Sequence, residues 1–255
     1  MDYQIKGKTA IVTGGGGGLG AEIVRELMAE GVNVAIADVK TDEKVEKWIS
    51  DLNEKSESKA VMILTDVSDE EQVNRLFDKA LEAFGQVDIV VNNAGIWPTA
   101  YVREMTPQSF RKTLDINLVG PFMLCKRMAN YCIENGRKGK IINMVSQAAF
   151  HGSTTGHAHY AASKAGLVTF SISLAREVAK YGITVNMVAP GIMETPMIAE
   201  SLKDPVKKEA YLNRIPIRKV ATTEDVAKIV MFLAGNQSDY MTGTTLDATG
   251  GMLMR

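Results

Sequence analysis

The chain is poor in the residues that staple or export small proteins: two cysteines, three histidines and seven prolines in 255 residues. Two cysteines cannot hold a fold of this length together, so its stability has to come from a buried core. An excess of charge is missing as well, with Lys+Arg 29 against Asp+Glu 30 and a net charge of −1. There is no basic run, which excludes the electrostatic footprint of a nucleic-acid binder or of a protein held on an anionic membrane. No stretch stays apolar long enough to cross a bilayer, and the opening MDYQIKGKTAIVTG lacks the apolar core and cleavage site of a signal peptide. These absences lead to the expectation of a cytoplasmic protein with a small-molecule ligand.

What is present is an ordinary globular composition, 45% hydrophobic and 23% charged, which excludes disorder. Residues 1–255 carry no linker of Pro, Gly or Ser and no repeat, so one domain is expected. Cys125 and Cys132 lie seven apart in a helical pattern, on one face but too far along it to bond, and read as reduced core or interface residues.

Apolar runs alternate with amphipathic segments. Strands are predicted over 9–13, 32–37, 60–64, 87–91, 140–145, 184–188 and about 244–246. Helices are predicted over 19–30, 42–53, 70–84, 107 to about 133, 159–180 and 223–234. The strand runs show little apolar–polar alternation, the mark of strands buried on both faces. The fold expected is therefore α/β: a single-domain Rossmann-type doubly wound parallel sheet of about seven strands flanked by helices. The irregular stretch 191–216, with three of the seven prolines, reads as a lid inserted before the last helix and strand.

Thr13-Gly14-Gly15-Gly16-Gly17-Gly18-Leu19-Gly20 stands where the first strand turns into the first helix, the place where a backbone must approach a pyrophosphate closely. Five glycines in a row satisfy several spacings at once, including G-x-G-x-x-G at 15, 17 and 20, so the context carries the reading. Asp38, eighteen residues past Gly20 at the end of the second strand run, is placed to accept hydrogen bonds from both hydroxyls of an adenosine ribose and to repel a 2′-phosphate. No Lys or Arg stands in the glycine loop, although Lys40 is near, and this favours NAD over NADP; the plainer reading of Asp38 is a loop opener or helix cap. Asp66-Val67, after the third strand, reads equally as a hold on the adenine or, for Asp66, as the cap of the next helix. Asn92-Asn93-Ala94-Gly95 follows the fourth strand, which in the order 3-2-1-4 faces the glycine run across the crevice.

Tyr160 and Lys164, four apart at the start of a helix, share one face. A phenol with a free pKa of about 10 is a poor acid or base at neutral pH, and an adjacent ammonium favours its phenolate. Ser146, at the end of the fifth strand run, is placed to hydrogen-bond a substrate oxygen while the tyrosine moves its proton.

From Lys8 to its last residue the chain resembles the short-chain dehydrogenase/reductase family. Thr13-Gly14-x-x-x-Gly18-Leu19-Gly20 matches that family's T-G-x-x-x-G-x-G, Asn92-Asn93-Ala94-Gly95 its N-N-A-G, and Ser146 with Tyr160-x-x-x-Lys164 its active site. The resemblance implies a fourth catalytic residue, Asn117, which bends its helix and anchors a water that relays protons from Lys164. It also implies that Pro190-Gly191 turns the chain under a nicotinamide, that Ile192 and Thr195 hold the carboxamide, that Lys164 holds the nicotinamide ribose, and that the protein is a homotetramer. With Gly14, Gly16, Gly17, Gly18, Leu19, Gly20, Asp38, Asp66, Val67, Asn93, Ala94, Gly95 and Tyr160, which also touches the cofactor, these complete the expected cofactor site.

The histidines cluster as His151, His157 and His159, but two ligands in H-x-H without a nearby Cys do not make a zinc site, and no metal is expected. Gln147, His151 and His157 are candidates to line the substrate pocket, with Trp97 as a wall, and polar groups there favour a hydroxylated or acidic substrate. The expected function is NAD-dependent interconversion of a secondary alcohol, on a sugar, polyol or hydroxy acid, with its ketone. The alternatives are a 3-oxoacyl-[acyl-carrier-protein] reductase and, in a different class, a nicotinamide-binding regulator without turnover.

Overall fold

In a computed structural model that describes residues 2–194 and 203–255, the predicted strand runs form β1 (Thr9–Thr13), β2 (Asn33–Asp38), β3 (Ala60–Leu64), β4 (Ile89–Asn92), β5 (Gly139–Met144), β6 (Ile183–Pro190) and β7 (Thr245–Ala248). They pair in the order β3-β2-β1-β4-β5-β6-β7, every pairing parallel. The helices are α1 (Gly18–Ala29), α2 (Glu43–Lys55), α3 (Glu70–Phe84), α4 (Pro107–Leu114), α5 (Gly120–Glu134), α6 (Ala148–His151), α7 (Ala158–Val178), α8 (Pro205–Leu212) and α9 (Thr223–Ala234).

Alternate residues of each central strand serve opposite faces. In β1, Ala10 and Val12 join Ile23 and Leu27 of α1 and Val230 of α9 in one core. Ile11, between them, joins Leu76 and Phe77 of α3 and Leu124 and Met128 of α5 in the other. Each large side chain so buried contributes roughly 1.5–3 kcal/mol against exposure, which is why the strand runs had to be apolar throughout. The chain runs out to β3 at one edge and returns to β4 beside β1, so the crevice between the carboxyl ends of β1 and β4 is the switch point at which α/β folds bind ligands.

Side-chain caps set the starts of α2, α3, α4 and α9. Asp42 accepts from Val45 N, Thr106 from Ser109 N with Pro107 following, and Thr222 and Asp225 form a reciprocal capping box. For α3 the cap is Asp69, which accepts from Gln72 N at 3.1 Å. Asp66 does not cap that helix; its carboxylate instead accepts from the amide and hydroxyl of Ser68, at 2.9 and 2.6 Å, in the turn before it.

The one helix expected over 107–133 is two, separated by a π-helical turn at Asp115–Val119. Nothing in the hydrophobic period announces that turn; it follows from the hydrogen bonds of Asn117 described below. The predicted lid falls partly outside the described residues, which omit 195–202; within it α8 is capped by Asp204 and carries Pro205 in its first turn. Among the described residues no helix is long and apolar enough to cross a membrane.

Candidate active site

The glycine run is stitched to the N-N-A-G turn across the switch point. Thr13 Oγ1 accepts from the amides of Asn93 and Ala94, at 3.1 and 3.0 Å, and Asn93 Nδ2 donates to the carbonyls of Thr13 and Gly14. The space this leaves sorts the five glycines. A Cβ on Gly20 would lie 2.0 Å from the Gly14 carbonyl, and one on Gly14, whose φ is +63°, would lie 2.9 Å from Ala94 Cα. Gly17 has open space around it and an extended backbone. Gly14 and Gly18 take left-handed backbones, Gly15 and Gly20 leave no room for a Cβ, and Leu19 packs against the α1 core.

Asp38 ends β2 beside this loop. Its Oδ2 accepts from Gly16 N at 3.1 Å and its Oδ1 from Val39 N at 2.8 Å, so a carboxylate lies directly on the glycine turn. Asp66 is exposed and Val67 buried; the Val67 carbonyl touches Gly120 so closely that a Cβ there would sit 2.7 Å away.

Four side chains converge at the carboxyl ends of β4 and β5. Asn117 is fully buried in the π-helical turn; its Oδ1 accepts from Ile96 N at 2.8 Å, and its Nδ2 donates to Ile96 O at 2.9 Å and Ser163 Oγ at 3.1 Å. The Ser163 hydroxyl donates in turn to the carbonyl of Tyr160 at 2.7 Å. Lys164 reaches past Gly95 to donate from Nζ to the Met144 carbonyl, at 2.7 Å, where β5 ends and Ser146 begins the next turn. The Ser146 hydroxyl also accepts from Ala148 N.

Burial dominates the titration of this group. It draws the Lys164 ammonium down to about 8 and pushes the Tyr160 phenol above its ordinary value, with a hydrogen bond from Ser146 pulling back. The lysine nitrogen is 6.0 Å from the ring centroid and bound to a carbonyl, and burial is the largest cause of both shifts.

Above this group Trp97 stacks on His157 with ring centroids 3.9 Å apart, and its plane meets Tyr160 edge-on at 6.4 Å. His157 is held by the Pro98 carbonyl at 2.9 Å. His159 is buried with neither ring nitrogen partnered, and burial together with His157 lowers its pKa. His151 is exposed at the end of α6 and does not join this wall. Gln147 contributes a buried, unpartnered Oε1, while its Nε2 lies 3.9 Å from Met252 Sδ. On the other side, the Gly191 amide donates to the Ala248 carbonyl after Pro190, and Ile192 accepts from Ala221 N. Thr195 lies outside the described residues.

Sequence reasoning missed several supports. Asn92, Asn143 and Ser171 form a buried chain, Asn92 Nδ2 to Asn143 Oδ1 and Asn143 Nδ2 to Ser171 Oγ, both at 2.8 Å, which fixes the ends of β4 and β5. Asn92 Nδ2 also donates to Cys125 Sγ, whose thiol burial pushes up to about 12, so it stays protonated. Arg255 lies over the Phe150 ring at 3.7 Å while paired with Asp247, closing the wall beside Gln147. The available signal was two asparagines in otherwise apolar strands, which inside a core must have partners.

The family model described as Enoyl-(Acyl carrier protein) reductase matches residues 15–253. The 3beta-hydroxysteroid dehydrogenase 1 of Eggerthella lenta is 40% identical over 254 residues, covering 100% of this chain and 97% of the relative. The 3-oxoacyl-[acyl-carrier-protein] reductase FabG of Chlamydia muridarum is 37% identical over 252 residues, 99% of this chain and 100% of that protein. Among solved structures, the crystal structure of gox2181 superposes with a TM-score of 0.88 at 32% identity, over 97% of this chain and 96% of that one. With its parallel seven-stranded sheet and a glycine turn stitched to N-N-A-G, this chain belongs to the short-chain dehydrogenase/reductase family of oxidoreductases.

Proposed function

We propose that the protein is an NAD-dependent oxidoreductase that interconverts a secondary alcohol and its ketone, on a sugar, polyol or hydroxy acid. The observation that carries this reading is the meeting of Asn117, Ser146, Tyr160 and Lys164 within one hydrogen-bonded region beside the glycine turn. The fit to a dinucleotide rests on the turn itself, where the backbone at Gly17 has open space around it at the start of α1 and Asp38 stands against Gly16 N.

In this reading Gly14, Gly16, Gly17, Gly18, Leu19 and Gly20 hold the pyrophosphate and Asp38 the adenosine ribose. Asp66 and Val67 hold the adenine, and Asn93, Ala94, Gly95, Pro190, Gly191, Ile192 and Thr195 the nicotinamide end. The bound dinucleotide supplies the acceptor or donor of hydride. Ser146 donates a hydrogen bond to the substrate oxygen, and Tyr160 takes the hydroxyl proton in oxidation or returns it in reduction. Lys164, charged near neutral pH and facing no carboxylate among the described residues, stabilises the phenolate as it forms and holds the nicotinamide ribose. Asn117 positions the backbone around Ile96 and, through Ser163, the first turn of α7.

The unpartnered Gln147 Oε1 calls for a hydrogen-bond donor, which a second hydroxyl on a sugar or polyol provides. Residues 191–216 act as the substrate lid, and the exposed Phe110, Val119 and Phe122 on α4 to α5 are covered by a second copy in a cytoplasmic homotetramer.

The test is the initial rate of nicotinamide reduction with polyols, sugars, hydroxy acids, a steroid alcohol and a 3-hydroxyacyl thioester, each with NAD and with NADP. Turnover with NAD on a polar secondary alcohol is expected. A second reading, reduction of 3-oxoacyl thioesters, is favoured by the Chlamydia muridarum relative; preference for NADP with activity on the thioester alone would replace the first reading by the second.

A further inference from the structure

A cavity of about 810 Å³ opens at the amino ends of β4, β5 and β6, the far end of the sheet from Ser146 and Tyr160. Four cations, Lys8, Arg137, Lys138 and Lys140, line it with two carboxylates, Asp88 and Asp239, a surplus of two positive charges. The carboxylates are already engaged: Asp239 with Lys140 at 2.8 Å and Asp88 with Arg137 at 3.0 Å. Lys8 is left with only a long hydrogen bond, 3.5 Å, to Asn236 Oδ1. Lys138 is exposed at the rim. The Arg137 Nε is buried and has no acceptor, a donor left without a partner where one is expected. Burial lowers the Lys140 pKa, Asp239 holds it up, and Lys8 adds a smaller like-charge push downward.

We propose that this cavity is a second ligand site, taking a small phosphorylated molecule by its phosphoryl dianion. A phosphoryl group carries about −1.5 to −2 charges near neutral pH and presents several acceptor oxygens, matching a surplus of two charges and a spare guanidinium donor. A single carboxylate would leave one charge unmet. The volume falls in the range of roughly 300–1,000 Å³ that holds small molecules. The site is built on the opposite ends of the strands that carry the glycine turn and the catalytic candidates, so its ligand does not compete for the dinucleotide crevice.

Calorimetric titration of the full chain with inorganic pyrophosphate, in the presence of saturating NADH to occupy the glycine turn, tests the proposal. One saturable site is expected, weakened at least tenfold in the double variant Lys8→Ser/Lys138→Ser and weakened also by Arg137→Lys, which keeps the charge and removes Nε. Lys40→Ser, near the glycine turn, should leave the affinity unchanged. The two serine substitutions fall on side chains that are exposed or half-exposed, so the fold is retained. Absence of saturable binding overturns the proposal, as does an affinity unaffected by the double variant or reduced as much by Lys40→Ser.

Discussion

Lys140 and Lys164 are both buried, at the two ends of the same strand. Lys140 lies near the amino end of β5, and its ammonium meets the Asp239 carboxylate at 2.8 Å and the Ser238 hydroxyl at 3.1 Å. Lys164 reaches the carboxyl end of β5 and, among the described residues, has only the neutral carbonyl of Met144 as a hydrogen-bond partner. Burial lowers the pKa of both, but Asp239 holds Lys140 up, whereas nothing offsets the fall of Lys164 to about 8. A buried cation with its counter-ion is a structural device. A buried cation without one is costly to keep, and such groups gather where chemistry needs them.

The largest effect expected from this contrast is on turnover. Lys164→Met should lower kcat by about 10²–10⁴-fold, the span of a lost acid–base contribution, while Lys140→Met should leave kcat near wild type. Lys140→Met should instead destabilise the fold by about 1–3 kcal/mol through its lost hydrogen bonds, read from denaturant unfolding. Equal effects of the two substitutions on kcat would erase the distinction drawn here.

The glycine run sharpens the contrast between residues the fold needs and residues a ligand needs. Gly20→Ala must push against the Gly14 carbonyl and should cost about 2–3 kcal/mol, while Gly17→Ala should unfold at the wild-type midpoint. Dinucleotide affinity measured on the same two proteins should fall in both, because the ligand reads the whole turn.

Asp38 provides the next smaller effect. Its carboxylate rests against Gly16 N, and Asp38→Ser should raise the kcat/KM ratio of NADP over NAD by roughly 10–100-fold by removing repulsion of the 2′-phosphate. An unchanged ratio would place the discrimination elsewhere.

The smallest effect concerns pH and stability. The Lys164 pKa is lower in the folded chain, at about 8, than in an unfolded one, so between these values the unfolded state binds more protons and stability rises with pH. Wild type should therefore gain on Lys164→Met as pH rises from 8 to 10, by on the order of 1 kcal/mol per pH unit, in paired thermal or urea unfolding curves. A gap independent of pH would mean that Lys164 titrates at its ordinary value.

The central strands were legible because burial on both faces demands unbroken apolar runs, and Ile11 between Ala10 and Val12 shows the reason in one place; the edge strand β7, Thr245–Ala248, has no such run. Tyr160, Lys164 and Ser146 were legible as a spacing, and their convergence follows from α7 packing on β6, the neighbour of β5, so that Lys164 reaches the Met144 carbonyl. The bend at Asn117 was expected from the family resemblance alone and not from the hydrophobic period, because the π-helical turn depends on the backbone of Ile96, distant in sequence, accepting from and donating to one side chain. Nor was the cap of α3 legible: the sequence reading offered Asp66, whereas the carboxylate that meets Gln72 N is that of Asp69. The pairing of Lys140 with Asp239 joins residues nearly a hundred apart, and no local pattern encodes it.

In the proposed function Tyr160 moves the proton while the glycine turn, independently, holds the dinucleotide. The most direct test is Tyr160→Phe compared with wild type in two measurements on one preparation: kcat for alcohol oxidation, and NADH affinity by fluorescence titration. The account predicts a loss of kcat by at least about 10²-fold with affinity within a factor of about two. Retained turnover, or a loss of affinity as large as the loss of turnover, would contradict it.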